Sequence, residues 1–240
     1  MAVEAARVDS LIDHLVVVAD SLTQGVAWCE ARFGVCPGPG GQHALMGTHN
    51  RLLRIGGPAW PQAYLEIIAI DRDAAAPRAG RARWFGIDDP SLRVAVRTQP
   101  QLVHFVAQTS QLAAACDALA RQGHDVGRPV AASRRTTLGE LRWRITLRDD
   151  GVPQHGGGLP ALIEWQGPHP AATLPEAGVR LIGLTVMTDQ PATLRAAWSA
   201  IGLAGVHCAL AQGRPRLRAR FATPRGEFML ENDPGARQGD

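Results

Sequence analysis

The hydrophobic pattern opens with an apolar strand, a helix and further strands. Residues 11–19 are almost continuously apolar, which is typical of a buried strand. A helix with one apolar side follows and ends at Gly34. After a segment rich in glycine and proline, "NRLLRIG" (50–56) and "AYLEIIAI" (63–70) are predicted as strands.

The same order of elements recurs further along the chain. Residues 102–108 form a second apolar run, and residues 110–123 have helical spacing and end at a glycine. Three strand candidates follow: "VGRPVAASRRTT", "GELRWRITLRD" and "PALIEWQ". In the second of these, "LRWRITLR" alternates between apolar and polar residues, as a half-exposed strand does.

A third copy closes the chain. Residues 180–189 are predicted as a strand and 190–202 as a helix, with "PRLRARFAT" and "GEFMLEN" as final strands. Three copies with a spacing of roughly 80–90 residues indicate an internal repeat. We therefore predict an α+β fold of βαβββ modules, with these bounds: a first module at 8–72, a connecting segment at 73–100, a second module at 101–168 and a third, degenerate module at 178–232.

Polar residues interrupt the first strands of two copies. Aligned by their helices, these strands read "IDHLVV", "LVHFVA" and "LIGLTV". His14 and His104 occupy the same position, where the third copy has Gly183. Asp13 precedes His14 and, because side chains alternate along a strand, we expect it on the opposite face as a local hydrogen-bonding residue.

The last strands of the same two copies carry a glutamate. They read "AYLEIIA", "ALIEWQG" and "EFMLEND", which align Glu66 with Glu164 and place Leu230 in the third copy. A buried carboxylate is costly unless it is paired or bound to a cation. Two imidazoles and two carboxylates form a ligand set that suits Zn, Ni, Co, Mn or Fe. We therefore predict a divalent metal site at these residues: His14, Glu66, His104 and Glu164.

A structural role for the same residues stays open. A single histidine in an apolar strand is most often a core residue with its hydrogen bonds satisfied, and a strand glutamate is often paired with an arginine. The matched positions in two copies favour chemistry, and the joint loss of both residue types in the third copy indicates that the module folds without them.

Composition excludes several classes of function. The net charge is only +3 and aromatic residues make up 5% of the chain, which does not suit a nucleic-acid-binding surface. No apolar run approaches the 18 residues of a membrane span, and the first ten residues lack the features of a signal peptide. The 4 cysteines have no paired spacing. We expect a cytoplasmic protein that acts on a small molecule.

These motifs resemble the vicinal oxygen chelate superfamily, and within it the glyoxalase-like domain proteins. The resemblance rests on "IDHLVV", "GGQHALMGTHN", "AYLEIIAID", "RRTTLGELRWRITL" and "LPALIEW", and it covers most of residues 10–170. It implies that two modules pair into a cup-shaped mixed sheet whose first and last strands supply metal ligands. The third module is not part of a minimal glyoxalase, and we expect it to support the structure, shield the cup or form a homodimer.

The resemblance implies a metal-dependent enzyme of lyase or isomerase type. The metal would stabilise an enolate of a chelated, oxygen-bearing substrate. Glu66 or Glu164 would act as the catalytic base for a proton next to a carbonyl. Six further residues are candidates for substrate binding because they lie in loops or next to a hairpin near the cup: His43, His49, Asn50, Arg134, Arg135 and His155.

Two alternatives remain. The first is a metal-free binding or resistance protein that holds a small molecule in the same cup, with some of the 6 tryptophans as its lining. The second is an Fe(II) extradiol dioxygenase, for which His43 or His155 would supply the additional catalytic histidine.

Overall fold

The fold contains one large and one small β-sheet with four α-helices. The computed structural model describes residues 8–136 and 139–232. The twelve strands of this part of the chain are β1 (Leu11–Val18), β2 (Gln42–His43), β3 (Thr48–Arg54), β4 (Tyr64–Ile70), β5 (Gln101–Gln108), β6 (Arg128–Thr136), β7 (Gly139–Leu147), β8 (Ala161–Trp165), β9 (Arg180–Thr188), β10 (Val206–Leu210), β11 (Arg216–Thr223) and β12 (Gly226–Glu231). The helices are α1 (Leu22–Phe33), α2 (Pro90–Thr98), α3 (Leu112–Ala120) and α4 (Pro191–Ala200).

The large sheet joins the first two modules into one cup. Its strand order is β2-β3-β4-β1-β5-β8-β7-β6, with the first strands of the two modules paired antiparallel at its centre. Each first strand also pairs in parallel with the last strand of its own module, β1 with β4 and β5 with β8. This confirms the predicted α+β fold of paired βαβββ modules.

Helix α1 shows how the local sequence determines an element. The side chain of Ser21 accepts a hydrogen bond from the Gln24 amide (3.2 Å), which caps the first turn. Gly34 ends the helix in the left-handed conformation (φ 73°), which glycine adopts without steric cost. Cys29 and Phe33 point into the core, so this helix covers the outer face of the large sheet.

Two apolar layers lie on opposite faces of the large sheet. The outer layer contains alternate residues of the central strands, such as Leu15 and Phe105, together with helices α1, α3 and α4 and the inner face of the small sheet. The inner layer lies within the cup and includes Val16, Val106 and Ile163. None of the described helices combines the length and the apolar character that crossing a membrane requires.

The third unit has the predicted order of elements but a different arrangement of strands. The small sheet has the order β10-β9-β11-β12, so its first strand β9 pairs with β10 and β11 rather than with the last strand. Strand β10 lies outside the strands expected from the sequence. Leu230 therefore stands beside Ala219 on β11, and its alignment with Glu66 is not reproduced by the fold. The apolar side of this sheet joins the outer core layer.

The connecting segment adds more than a linker. It contains helix α2 and a 3-10 turn, Trp84–Gly86, whose first two side chains are buried in the inner layer. Phe85 has φ 60°, an unusual conformation for a bulky residue. We call Trp84 and Phe85 the aromatic plug, because they fill part of the cup between the two modules.

Candidate active site

A row of three polar side chains crosses the floor of the cup. His14 Nδ1 donates a hydrogen bond to Asp13 Oδ1 at 2.5 Å, and His14 Nε2 lies 3.6 Å from Glu66 Oε2. All three residues are buried, with exposed fractions of 5% or less. The ring of His14 also stacks on Tyr64, with ring centroids 4.7 Å apart. In this row, Asp13 fixes Nδ1 of His14 by a hydrogen bond, and Nε2 of His14 lies beside the carboxylate of Glu66.

A β-bulge in β1 accompanies the contact between the side chains of Asp13 and His14. The register between β1 and β5 shifts between Ile12 and His14, so Asp13 is an extra residue in its strand. It lies in contact with His14 and is not confined to the opposite face, as simple alternation along the strand predicted. The sequence showed two adjacent polar residues in an apolar strand, but it did not show the bulge.

Asp13 is held as a buried carboxylate by several donors. Trp165 Nε1 donates to Asp13 Oδ2 at 2.8 Å, and His169 Nε2 lies 2.9 Å from the same oxygen. His169 Nδ1 accepts from the Ala171 amide, so the proton on its ring is on Nε2. Burial on its own would raise the pKa of Asp13, but the hydrogen bonds and charges of His14 and His169 outweigh it and hold the pKa well below its usual range.

Asn50 links the row to Arg134. Its amide nitrogen donates to Glu66 Oε1 at 2.6 Å, and its amide oxygen accepts from Arg134 Nη1 at 3.1 Å. The backbone passes close by at Gly40, where a Cβ would lie 2.0 Å from the Asn50 carbonyl oxygen. The glycine-rich segment therefore packs tightly against Asn50 and holds its side chain between a carboxylate and a guanidinium.

His43 completes the wall of this cavity as a neutral imidazole. Its Nδ1 lies 3.1 Å from Thr48 Oγ1 and its Nε2 lies 3.3 Å from the Asn50 amide nitrogen. Burial lowers the pKa of His43 to about 3, and the charge of Arg134 adds to this effect. Its ring meets Trp84 edge to face at 4.9 Å.

The polar row borders a small cavity, and a larger cleft lies next to this cavity at Arg134. The small cavity has a volume of about 30 Å³, close to the share of one water molecule in the liquid, and Trp84, Trp143 and Trp165 form much of its apolar wall. The larger cleft measures about 670 Å³. Arg134 lines both spaces, so they adjoin at this residue, and His169 lines the cleft.

The structure does not bring the four predicted metal ligands together. His104 Nδ1 donates to the Gly157 carbonyl at 3.2 Å, while His104 Nε2 accepts from the Ala161 amide at 3.1 Å, so backbone groups occupy both ring nitrogens. The aromatic plug also stands beside His104, with the Phe85 ring 5.7 Å from its ring. Trp84 and Phe85 line the cavity at His14 and a second one at His104.

The predicted equivalence of Glu66 and Glu164 is corrected by the strand register. Glu66 stands beside Val16 on β1, and the corresponding place beside Val106 on β5 belongs to Ala161. Glu164 lies three positions further on, and an odd shift turns a side chain to the other face of a sheet. There Glu164 accepts a hydrogen bond from Arg144 Nε at 2.9 Å, so it faces away from the cup.

The described residues therefore do not fit the predicted metal ion. Residues 8–136 and 139–232 contain no group of three or more histidine, cysteine, aspartate or glutamate side chains placed to hold one. His14 and Glu66 remain together as an acid–base pair.

The six predicted substrate-binding residues divide into two sets. His43, Asn50 and Arg134 line the small cavity. Arg135 is exposed and lines only the cleft, while His49 lies on the other face of β3, with Nδ1 3.9 Å from Asp71 Oδ2. His155 Nε2 lies 3.4 Å from His124 Nδ1, apart from the residues that line the small cavity.

Several residues of the site had no predicted role. The sequence pattern gave no role to His169, and the aromatic plug lies in the segment predicted only to connect two modules. The indole N–H of Trp84 is buried and has no hydrogen-bond acceptor among the described residues. The adjacent tryptophan and phenylalanine in this segment, which is rich in alanine, arginine and proline, were the available signal.

Comparison with solved structures finds several similar proteins, of which the first described here shares the fold of this chain. A hypothetical protein from Staphylococcus aureus is similar with a TM-score of 0.55 and 14% identity, over 92% of this chain and 85% of that one. Methylmalonyl-CoA epimerase from Mycobacterium tuberculosis has a TM-score of 0.39 and 18% identity, over 68% and 91% of the two chains. A 4-hydroxymandelate synthase mutant from Streptomyces coelicolor has a TM-score of 0.41 and 16% identity, over 67% and 50%.

Comparison with protein families identifies the chain more directly. No curated protein matches it. The family model described as glyoxalase-like domain matches residues 12–202, which covers both modules of the cup and the start of the third unit. The resemblance to the vicinal oxygen chelate superfamily is thereby confirmed, and the chain belongs to the glyoxalase-like domain family.

Proposed function

We propose that this chain is an enzyme of lyase or isomerase type that moves a proton next to a carbonyl group of a small molecule. The observation that carries the proposal is the Asp13–His14–Glu66 row. A buried carboxylate orients one imidazole nitrogen, and the other faces a cavity beside a second carboxylate. This arrangement matches the requirements of general acid–base catalysis.

Each residue of the row has a distinct role in the proposed reaction. His14 Nε2 takes the proton from the carbon beside the carbonyl, and the electron pair of that C–H bond forms the enolate. Asp13 keeps the other ring proton on Nδ1 and stabilises the imidazolium that forms. Glu66 stabilises the same imidazolium from the opposite side, at 3.6 Å.

The negative charge that develops on the substrate oxygen needs donors. Arg134 brings a positive charge to the cavity wall, and the indole N–H of Trp84 is a buried donor with no acceptor among the described residues. Donors that are already in place stabilise a developing oxyanion at little reorganisation cost. The proton then returns to another carbon in an isomerisation, or a β-substituent leaves in a lyase reaction.

The test is hydrogen exchange in D₂O. A panel of carbonyl compounds with acidic α-protons is incubated with the protein, and proton NMR follows the loss of the α-proton signal. We expect catalysed exchange that falls by about 100-fold or more in His14→Asn. His49→Asn is the matched control, because this histidine faces the other side of β3. Exchange that is equally fast in His14→Asn would refute the role of His14.

The predicted divalent metal has no part in this mechanism, because the ligand set does not fit it. Elemental analysis of protein purified without chelators tests this point, and we expect less than stoichiometric Zn, Ni, Co, Mn or Fe. If one equivalent of metal is bound and is lost in both His14→Ala and His104→Ala, the predicted four-ligand site is supported. The homodimer and the cytoplasmic location stay predictions.

A binding protein without catalysis is the second candidate. Three tryptophans in the wall of the small cavity, Trp84, Trp143 and Trp165, favour it. The exchange experiment separates the two functions, because a binding protein holds the same compounds without exchanging their α-protons. For the dioxygenase alternative, His43 lines the small cavity, whereas His155 lies next to His124 and outside this cavity.

A further inference from the structure

The two spaces that adjoin at Arg134 differ in size and in chemistry. The small cavity at His14 and Glu66, about 30 Å³, admits only a small reacting group. The cleft outside it, about 670 Å³, has the size of a pocket for one drug-sized molecule. A substrate that reaches His14 through this cleft must therefore leave most of its volume outside the small cavity.

Apolar side chains form one part of the cleft wall. Leu52, Leu141 and Leu174 line it together with Pro168 and Pro170. Arg135 stands opposite Glu140 across β6 and β7, and Glu140 forms its ion pair with Arg142. An apolar group gains free energy by leaving water for the apolar part of this wall.

Arg134 supplies a positive charge at the boundary between the two spaces. It lines both of them, and its hydrogen bond to Asn50 fixes its guanidinium there. No described carboxylate lies within salt-bridge distance of Arg134: the ion pairs on this hairpin and its neighbours involve Arg142 and Arg144 instead. A guanidinium without a carboxylate partner is suited to bind an anionic oxygen group.

We propose, on the basis of the proposed function, that the substrate is an amphipathic acid with three parts. A small carbonyl-bearing head enters the cavity at His14, an anionic group pairs with Arg134, and an extended apolar tail lies in the cleft against Leu52, Leu141 and Leu174. The cleft thus selects for tail length, whereas the row at His14 carries out the reaction.

The test measures binding of straight-chain alkanoates from butanoate to dodecanoate by titration calorimetry, below their micelle concentrations. We expect the dissociation constant to fall about two- to fourfold for each added methylene until the cleft is filled. Leu141→Ser should flatten this dependence on length and leave butanoate binding unchanged. Leu210→Ser is the control, because this residue lies on β10 of the small sheet and is 75% exposed.

Two outcomes overturn the proposal. If affinity does not change with chain length, or depends on length equally in Leu141→Ser, the tail does not bind in the cleft. If primary alcohols bind as tightly as the acids of equal length, no anionic group pairs with Arg134. Comparing decanoate with decyl phosphate then distinguishes a carboxylate from a phosphate as the preferred anion.

The same probes separate this proposal from the proposed function. His14→Asn should bind decanoate as the unaltered protein does, because His14 lies in the inner cavity rather than in the cleft. Length-dependent binding without exchange of any carbonyl compound would retain the cleft assignment and refute the enzyme. For straight-chain 2-oxo acids, a longer tail should lower KM and leave kcat nearly constant.

Discussion

The two modules of the cup carry equivalent histidines in opposite situations. In the central strand pair, Leu15 faces Phe105, and by this symmetry His14 on β1 corresponds to His104 on β5. Each strand has a β-bulge next to its histidine, Asp13 in β1 and Val103 in β5. His14 lies between two carboxylates and faces a cavity, whereas His104 is bonded through both nitrogens to the backbone.

The difference shows that neighbouring residues decide what a buried histidine does. In the first module the bulge residue is an aspartate and the last strand offers Glu66. In the second module the bulge residue is Val103 and the last strand offers Ala161, whose backbone amide bonds to His104. The same residue type at the same place in the fold is therefore an acid–base candidate in one module and a structural residue in the other.

The largest effect on stability is expected for Asp13→Asn. Asp13 is fully buried and accepts hydrogen bonds from the rings of His14 and Trp165, and from His169. Loss of its charge should lower the free energy of unfolding by about 3 kcal/mol, measured by urea denaturation. The exposed Asp73→Asn is the control. Equal stabilities of the two variants would show that the Asp13 network contributes little.

A smaller loss of stability is expected for His104→Asn. The change leaves the Gly157 carbonyl and the Ala161 amide without their partner, and a buried unsatisfied group costs about 1–3 kcal/mol. Catalysed exchange should stay within a few-fold of the unaltered protein, because His104 contacts the backbone rather than the polar row. A loss of exchange as large as that of His14→Asn would place His104 in the reaction.

His43 is another buried histidine, and it should make the free energy of unfolding depend on pH. Burial lowers its pKa to about 3 in the folded protein, whereas in the unfolded chain a histidine titrates near 6.5. Between these values the unfolded chain binds a proton that the folded protein does not, so stability falls as pH falls. Above pH 6.5 this contribution is constant.

The corresponding experiment compares the unaltered protein with His43→Gln at pH 6.5, 5.5 and 4.5. The variant should lose less stability on acidification, by about 1 kcal/mol for each pH unit. The depressed pKa of Asp13 acts at lower pH: its contribution is present above the pKa of an unfolded aspartate, near 4, and is lost below it. Identical pH slopes would show that His43 is protonated in the folded state.

The smallest effect is expected for Arg135→Gln. Arg135 is exposed and lines only the cleft, in contrast to Arg134 at the boundary of the small cavity. Decanoate affinity measured by calorimetry should change less than twofold in Arg135→Gln, whereas Arg134→Gln should weaken it about tenfold through loss of a charge-assisted contact. If Arg135→Gln weakens decanoate binding more than Arg134→Gln does, the anionic group pairs with Arg135 instead.

The sequence alone predicted much of the fold, because repeated elements leave local signals. Alternation identified β7, and Gly34 gave the C-terminal end of α1. His14, Glu66, Asn50 and Arg134 were all singled out and meet in the cavity. Glu164 was predicted on the wrong face of the sheet because aligning short sequences does not determine strand register. A shift of three residues turns the side chain to the opposite face.

The amino-acid sequence by itself determined the modules, their repeat and the presence of a buried histidine in each central strand. Hydrophobic periodicity is a local property, so it survives in the linear chain. Tertiary structure alone decided which histidine lies between carboxylates and which is bonded to the backbone. The bulge at Asp13, the position of Ala161 beside His104 and the insertion of Trp84 and Phe85 into the cup all depend on contacts between residues that are distant in sequence.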